Sequence, residues 1–381
     1  MNKKLVAISV VAALMPAAAM AEVTVYGRGH LSIDANSGNA GETATTGTKN
    51  GLNLTSNSSR LGFKGAEDLA NGMKAVFQLE TEVAAQGSDG GTSLFGGQRD
   101  TYVGVAGDFG TVIAGRLPLA NQWAYDANFF GDKVGDAANF TGGGFGGNGL
   151  LGVPGRVSRA AAYVSPSLGG VTVLAAYVPN TQQSLGAGQD ALNKQASYTL
   201  RASYDSNNIF AAASMANIGV AGVDLDTGAG TLIAGKDGKV SITSLAGGYD
   251  FGIAKVRAQW LQSKADKAAA GAEVKQTVIA VGGQFKLGED DSISVQFAKA
   301  GNISIGTTQA NSGATLLAVG FDHAMSKNTT VYAAYAKVSN KDNAQFSATG
   351  YGHGGVGAPG VDASGKAASP SALSVGLIRN F

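Results

Sequence analysis

Several residue patterns in this chain could do chemistry, and most fail on context. Gly230 to Lys236 reads G-x-x-x-x-G-K, a spacing that cradles phosphate when it joins a strand to a helix. Here Asp237 follows where a Ser or Thr is needed, and the segment reads as an outer loop. Gly142 to Gly147 matches G-x-G-x-x-G through glycine abundance alone, with no helical pattern after it. Asp224, Asp226 and Gly228 hint at a calcium loop, but Ala229 stands where the sharp turn needs glycine, which leaves only an incidental loop ion open. The three histidines, His30, His323 and His353, lack metal-ligand spacing, and no serine-nucleophile motif lies near them; each reads as a solvated polar residue. With no cysteine there is neither a disulfide nor a thiolate site. No catalytic residue, cofactor or metal is assigned.

Charge placement is the chemistry that survives. The long polar stretch Pro118 to Ser158 holds Asp126, Asp132 and Asp136 in its first half, with Lys133 the only base before Arg156. Trp123, Tyr125, Phe129, Phe130 and Phe140 could anchor it, and the glycines between 141 and 155 permit close backbone packing. Arg28, Arg60 and Lys64 fall on the polar side of alternating segments, and Lys74 is a further candidate. Arg99 and Arg116 lie in segments apolar on both faces, so alternation does not choose a side for them. Carboxylates facing bases across a narrow aqueous gap set up a transverse field that orients dipolar solutes and sorts ions by sign.

Such a gap needs walls. Strand-like segments recur about every 20 residues, as in a membrane barrel's hairpin rhythm. In the first, Val23, Val25, Gly27, Gly29, Leu31 and Ile33 alternate with Thr24, Tyr26, Arg28, His30, Ser32 and Asp34, which puts them on opposite faces of a sheet. The same period runs through Ser197–Tyr204 and Ala254–Trp260. Connections alternate between short Gly/Asn/Asp/Ser turns (near 68–72, 108–110, 167–170, 205–208, 250–252, 288–291 and 326–328) and long polar loops. The loops run near 35–50, 86–98, 118–158, 180–193, 218–239, 264–273, 301–312 and 340–371. Seven turns and eight loops separate sixteen strands, an even number that lets the first pair with the last. The expected fold is all-β: a sixteen-stranded antiparallel transmembrane barrel, greasy outside and wet within.

Composition and the N-terminus agree. Lys3 and Lys4, the apolar run Leu5 to Leu14 and Ala19-Met20-Ala21 form a signal peptide over 1–21, leaving a single domain over 22–381 exported through the Sec pathway. Without those two lysines, 26 basic residues face 27 acidic ones, a formal −1 that argues against a nucleic-acid partner. Glycine is abundant (57) and proline scarce (7), which fits strands held by closure rather than by local propensity, and not a disordered chain.

Four stretches carry a family likeness: Val23-Thr24-Val25-Tyr26-Gly27; Ser59-Arg60-Leu61-Gly62-Phe63-Lys64-Gly65 with Glu67 to Ala75; Phe109-Gly110-Thr111-Val112 through Gly115-Arg116; and the ending Val375 to Phe381. On these the sequence resembles the Gram-negative general porins, particularly the trimeric porins of β- and some γ-proteobacteria. The resemblance implies a homotrimer in the outer membrane, among lipid and lipopolysaccharide, with one pore per subunit for ions and small hydrophilic solutes. It also implies a third loop, Pro118 to Ser158, folded inward opposite a basic wall, and a Phe381 read by the barrel-assembly machinery. The expected function is passive diffusion. The alternatives are a channel preferring phosphate, a sugar or an organic acid, a barrel hydrolase (for which no serine–histidine pair is evident) and a non-conducting adhesin.

Overall fold

The computed structural model of the chain describes residues 22–38, 50–86, 95–119, 121–142, 155–179, 196–224, 231–266, 273–305, 308–309, 311–350, 352–353 and 366–381. The expected signal peptide, 1–21, lies outside them. Among the described residues sixteen strands build one wall. They are β1 (Glu22–Ser37), β2 (Gly51–Ser56 and Arg60–Asp68), β3 (Lys74–Val83), β4 (Phe95–Gln98 and Thr101–Gly107), β5 (Gly110–Pro118), β6 (Arg156–Val164), β7 (Val171–Val178) and β8 (Ser197–Ser206). The second half comprises β9 (Ile209–Asp224), β10 (Thr231–Asp250), β11 (Ala254–Asp266), β12 (Val274–Lys286), β13 (Asp291–Ala300), β14 (Ala314–Ser326), β15 (Thr329–Asn340) and β16 (Ser371–Asn380).

Each strand runs antiparallel to its neighbours in sequence. β16 then returns to β1, with Arg28 opposite Asn380 at one end and Ser37 opposite Ser371 at the other. The last residue extends this seam: Gly27 N–H donates to the Phe381 carbonyl at 3.0 Å and Phe381 N–H to the Gly27 carbonyl at 3.1 Å. Closure removes both sheet edges, so the strands' backbone groups are satisfied within the wall, as a hydrocarbon environment demands.

Side-chain alternation sets which face is which. In β1, His30, Ser32 and Asp34 are buried toward the interior while Val23, Val25 and Ile33 stand exposed outside. The outward face continues with Val103 (64% exposed), Leu245 and Val375, a contiguous apolar band that water would not tolerate and lipid does. Turn chemistry fixes the register: Asn207 and Asn208 both take positive φ (50° and 65°), the two-residue reversal that matches strand twist between β8 and β9.

Two expectations are corrected. The loop expected over 218–239 is mostly ladder, since β9 and β10 stay paired out to Asp224 and Thr231. The G-x-x-x-x-G-K stretch therefore runs into a strand with no helix to receive a phosphate. The interior is also not uniformly wet. Ala280, Ala298, Ala318, Ala334, Ala336 and Ala372 point inward from β12 to β16, and the segment after β5 fills the space they leave.

Candidate functional site

That segment contains two short helices, α1 (Asn121–Ala124) and α2 (Ala138–Thr141), and lies across the lumen against the far wall. Trp123, Phe130 and Phe140 are almost fully buried and Phe129 nearly so, each contributing roughly 1.5–3 kcal/mol of transfer free energy. The opposite strands are shaped to receive them. Gly282 on β12 lies so close to the Phe129 ring that an added Cβ would approach to 2.5 Å, and at Gly320 on β14 one would lie 2.8 Å from Phe130. Polar contacts set the depth: Gln259 Nε2 of β11 donates to the Trp123 carbonyl at 2.9 Å, and Phe129 N–H to Gln296 Oε1 of β13 at 3.2 Å.

The loop's own shape is organised by Asp136. Its carboxylate accepts from Asp132 N–H (2.8 Å), Ala138 N–H (2.8 Å) and Asn128 Nδ2 (2.5 Å), while Asn128 Oδ1 accepts from Phe130 N–H at 3.0 Å. These bonds hold the tight bend at which Asp132 takes φ 61°. Burial, with the Asp132 charge beside it, pushes the Asp136 carboxyl up to about 7 despite its three donors.

The other two loop carboxylates are also engaged. Asp126 is gripped by Arg201 of β8, Nη1 to Oδ2 at 2.9 Å and Nη2 to Oδ1 at 2.8 Å, and Arg257 Nη1 reaches the Asp126 carbonyl at 3.3 Å. Asp132 accepts from Arg28 Nη1 at 2.9 Å. Between them Lys133 binds Asp322 of β14 and lies 4.4 Å from the Tyr332 ring centre. None of the three loop acids stands free across a gap from the bases.

The basic wall is otherwise arranged. Arg60 and Arg99 converge on one carboxylate, Glu80 of β3: Arg99 Nε donates to Oε1 at 2.6 Å, and Arg60 Nε lies 3.9 Å from Oε2. The Tyr26 hydroxyl donates to the same Oε2 at 2.9 Å. Arg156, at the start of β6, binds Asp100. Lys64 lies 5.3 Å from the Tyr26 ring centre and has no carboxylate partner among the described residues. Lys74 sits apart at the turn end of β3, paired with Asp68 at 2.5 Å. Arg116 shares strand parity with the outward Val112 and donates to Ser158 Oγ (3.0 Å) and the Gln98 carbonyl (2.8 Å), away from the lumen cluster.

Arg28, Arg60 and Arg99 are thus brought together with Asp132, and Lys64 lies on the same wall against Tyr26, whereas Lys74 and Arg116 stand apart. Glu80, Arg201 and Asp322 carry contacts that sequence reasoning did not single out. Glu80 was within reach, because Lys74, Val76, Gln78 and Glu80 alternate with Ala75, Phe77 and Leu79. His30 and His353, expected to be solvated, are buried. Phe381 lies 61% exposed on the outer face, its ring occupying the space a Cβ at Gly27 would need.

Comparison with known proteins bears on what this arrangement serves. A family model described as Gram-negative porin matches residues 7–343. Outer membrane porin protein 32 of Delftia acidovorans is 29% identical over the full length of both chains. The anion-selective porin from Comamonas acidovorans superposes with a TM-score of 0.71 at 22% identity, covering 95% of this chain and all of that one. The trimer form of in-vitro folded OmpT, an outer membrane protein of Vibrio cholerae, does so at 0.67 and 18% identity, covering 95% and 99%.

Proposed function

Because the chain belongs to the Gram-negative porin family of non-enzymatic outer-membrane diffusion channels, we propose that its passage runs between the third loop and the wall of Arg60, Arg99 and Lys64, and that it favours small hydrophilic anions. One observation carries this reading: Arg60 and Arg99 share the single carboxylate Glu80, while the loop acids that could offset them are spent on other partners. Lys64 adds a positive charge with no counter-ion among the described residues. In a narrow aqueous constriction an unbalanced cluster of this kind lowers the barrier for anions and raises it for cations.

The anion-selective porin from Comamonas acidovorans supports the sign, and the trimer form of the Vibrio cholerae protein supports a homotrimeric assembly of the mature chain 22–381. The test is the reversal potential of the purified, refolded protein in a planar bilayer under a potassium chloride gradient. Anion preference that weakens in Arg60→Gln and Arg99→Gln supports the reading; cation preference in the unaltered protein refutes it. Saturation by one solute would favour a substrate-preferring channel instead, and absence of any current a non-conducting surface protein.

A further inference from the structure

The last long loop, between β15 and β16, also enters the barrel. Ala344, Phe346 and Ala348 are at most 1% exposed, a burial expected of core strands and not of a surface connection. Asn340 ties the loop's base, its Nδ2 donating to the Phe346 carbonyl at 2.8 Å and its Oδ1 accepting from Phe346 N–H at 3.1 Å. Phe346 then stacks on Phe140 of the third loop, ring centres 4.3 Å apart and planes 23° from parallel. Gly135 N–H donates to the Ala348 carbonyl at 2.8 Å, and Ser58 Oγ to the Gly352 carbonyl at 2.8 Å. Gly352 itself presses on Asp132 so closely that no Cβ would fit. The last loop therefore covers the bend that carries Asp132 to Arg28.

At the end of this path lies a buried histidine–carboxylate pair. His353 Nε2 is 3.2 Å from Asp34 Oδ2 of β1, and both side chains have no exposed surface. Distance qualifies this as an ion pair, but neither atom meets hydrogen-bond geometry with any partner, and Asp34 Oδ1 and His353 Nδ1 are in the same position. The imidazole is thus the nearest polar partner of the Asp34 carboxylate, with the Thr55 and Ser374 hydroxyls beside it. Removing one member leaves the other as an uncompensated buried group, the costly case for charges away from water.

We propose that His353 and Asp34 are the positioning pair that sets the bore of the channel, holding the last loop down on the third loop so that the two together, and not the third loop alone, define the size of solute that passes. The pair acts through other residues: His353 holds Gly352 and, with it, Phe346 and Ala348, which hold Asp132, Phe140 and Gly135. The proposal rests on the channel reading above.

Cysteine labelling tests it, because the chain contains no thiol of its own. In Ala348→Cys the sole thiol is buried where the last loop meets the third, and a membrane-impermeant methanethiosulfonate added to detergent-solubilised protein should react slowly. Adding Asp34→Asn or His353→Gln should raise that rate roughly 100-fold, as loss of one member of a buried pair shifts local opening. Single-channel conductance and the largest permeant neutral polymer should rise with it, and the two changes combined should add little beyond either alone. Unchanged thiol protection in both variants, with barrels that migrate as folded in heat-modifiability gels, overturns the proposal. If neither single variant folds, the swapped pair D34H/H353D decides: folding with slow thiol reaction supports the pairing, and rapid reaction or failure to fold overturns it. Thiol protection is read without current, so absence of conductance in the unaltered protein would sink the channel reading and leave this result to be judged by itself.

Discussion

Arg201 of β8 holds Asp126 of the third loop through two parallel N–H···O contacts, with both side chains less than a tenth exposed. The pair fastens the near end of the loop to the wall, while Arg28 and Asp132 fasten the bend that follows it. Planar bidentate geometry is what arginine supplies and lysine does not. Arg201→Met should strand a buried carboxylate and cost about 3–5 kcal/mol, whereas the double change R201M/D126L should recover most of that loss. The expected signature is a depressed thermal midpoint in detergent together with noisy, flickering current for the single variant, and near-normal behaviour for the double. Equal loss in both would show that the loop is held by its aromatics and not by this pair.

Asp136 predicts a pH dependence with a definite sign. Its carboxyl titrates near 7 in the folded loop, chiefly through burial, against 3.8 for an ordinary aspartate. Between those values the folded protein holds a proton that the unfolded chain has released, so stability falls as pH rises through that window. The contribution is fully present below about pH 4 and lost above about pH 7. Asp136→Asn cannot titrate. Plotted against pH from 4 to 8, the thermal midpoint of the unaltered protein should fall relative to that of the variant; parallel curves would mean that Asp136 stays ionised throughout.

The barrel was legible because strand period and turn residues are local. Val23 to Asp34 show their two faces within twelve positions, and Asn207-Asn208 marks a reversal without reference to any other part of the chain. The inward direction of Arg28, Arg60 and Lys64 follows from the same parity. What each base touches does not follow from it. Arg28 meets Asp132, 104 positions away, in a loop whose Phe129 and Phe130 find room against Gly282 and Gly320, glycines that are unremarkable one at a time. The ladder in β9 and β10 was hidden by the glycine-rich composition of 218–239, which reads as loop although Gly219 and Gly238 each pair across it. His353 offered no local signal at all, since its partner Asp34 lies at the other end of the chain.

Gly27 and Phe381 predict how the barrel seals. The two residues exchange both backbone hydrogen bonds, and the Phe381 ring lies where a Cβ on residue 27 would stand. Gly27→Val should displace the ring and open the seam, lowering the yield of heat-resistant barrel on refolding into detergent. Phe381→Ala keeps the backbone bonds and loses only ring packing, so its purified refolding yield should fall less. If both refold as well as the unaltered chain, the contact is incidental to closure. A defect of F381A confined to assembly in cells would place the role of Phe381 in recognition by the assembly machinery.

Glu80 offers a test opposite in sign to the arginine variants. It is the carboxylate toward which both Arg60 and Arg99 turn, and its side chain is 7% exposed, so little water screens the three charges from one another. Glu80→Gln keeps an oxygen to accept from Arg99, turns its amide N–H toward the Tyr26 hydroxyl, which can accept, and removes one negative charge from the wall. The potential beside the passage becomes more positive, and the reversal potential under a salt gradient should move further toward anions as Arg60→Gln moves it back. Raising ionic strength from about 0.1 M to 1 M shortens the screening length from roughly 10 Å to 3 Å, so the shift should shrink as salt rises. A change in conductance that leaves selectivity untouched would mean that Glu80 only fixes the arginine side chains in place. A shift toward cations would mean that Arg60 and Arg99, once released, no longer line the passage.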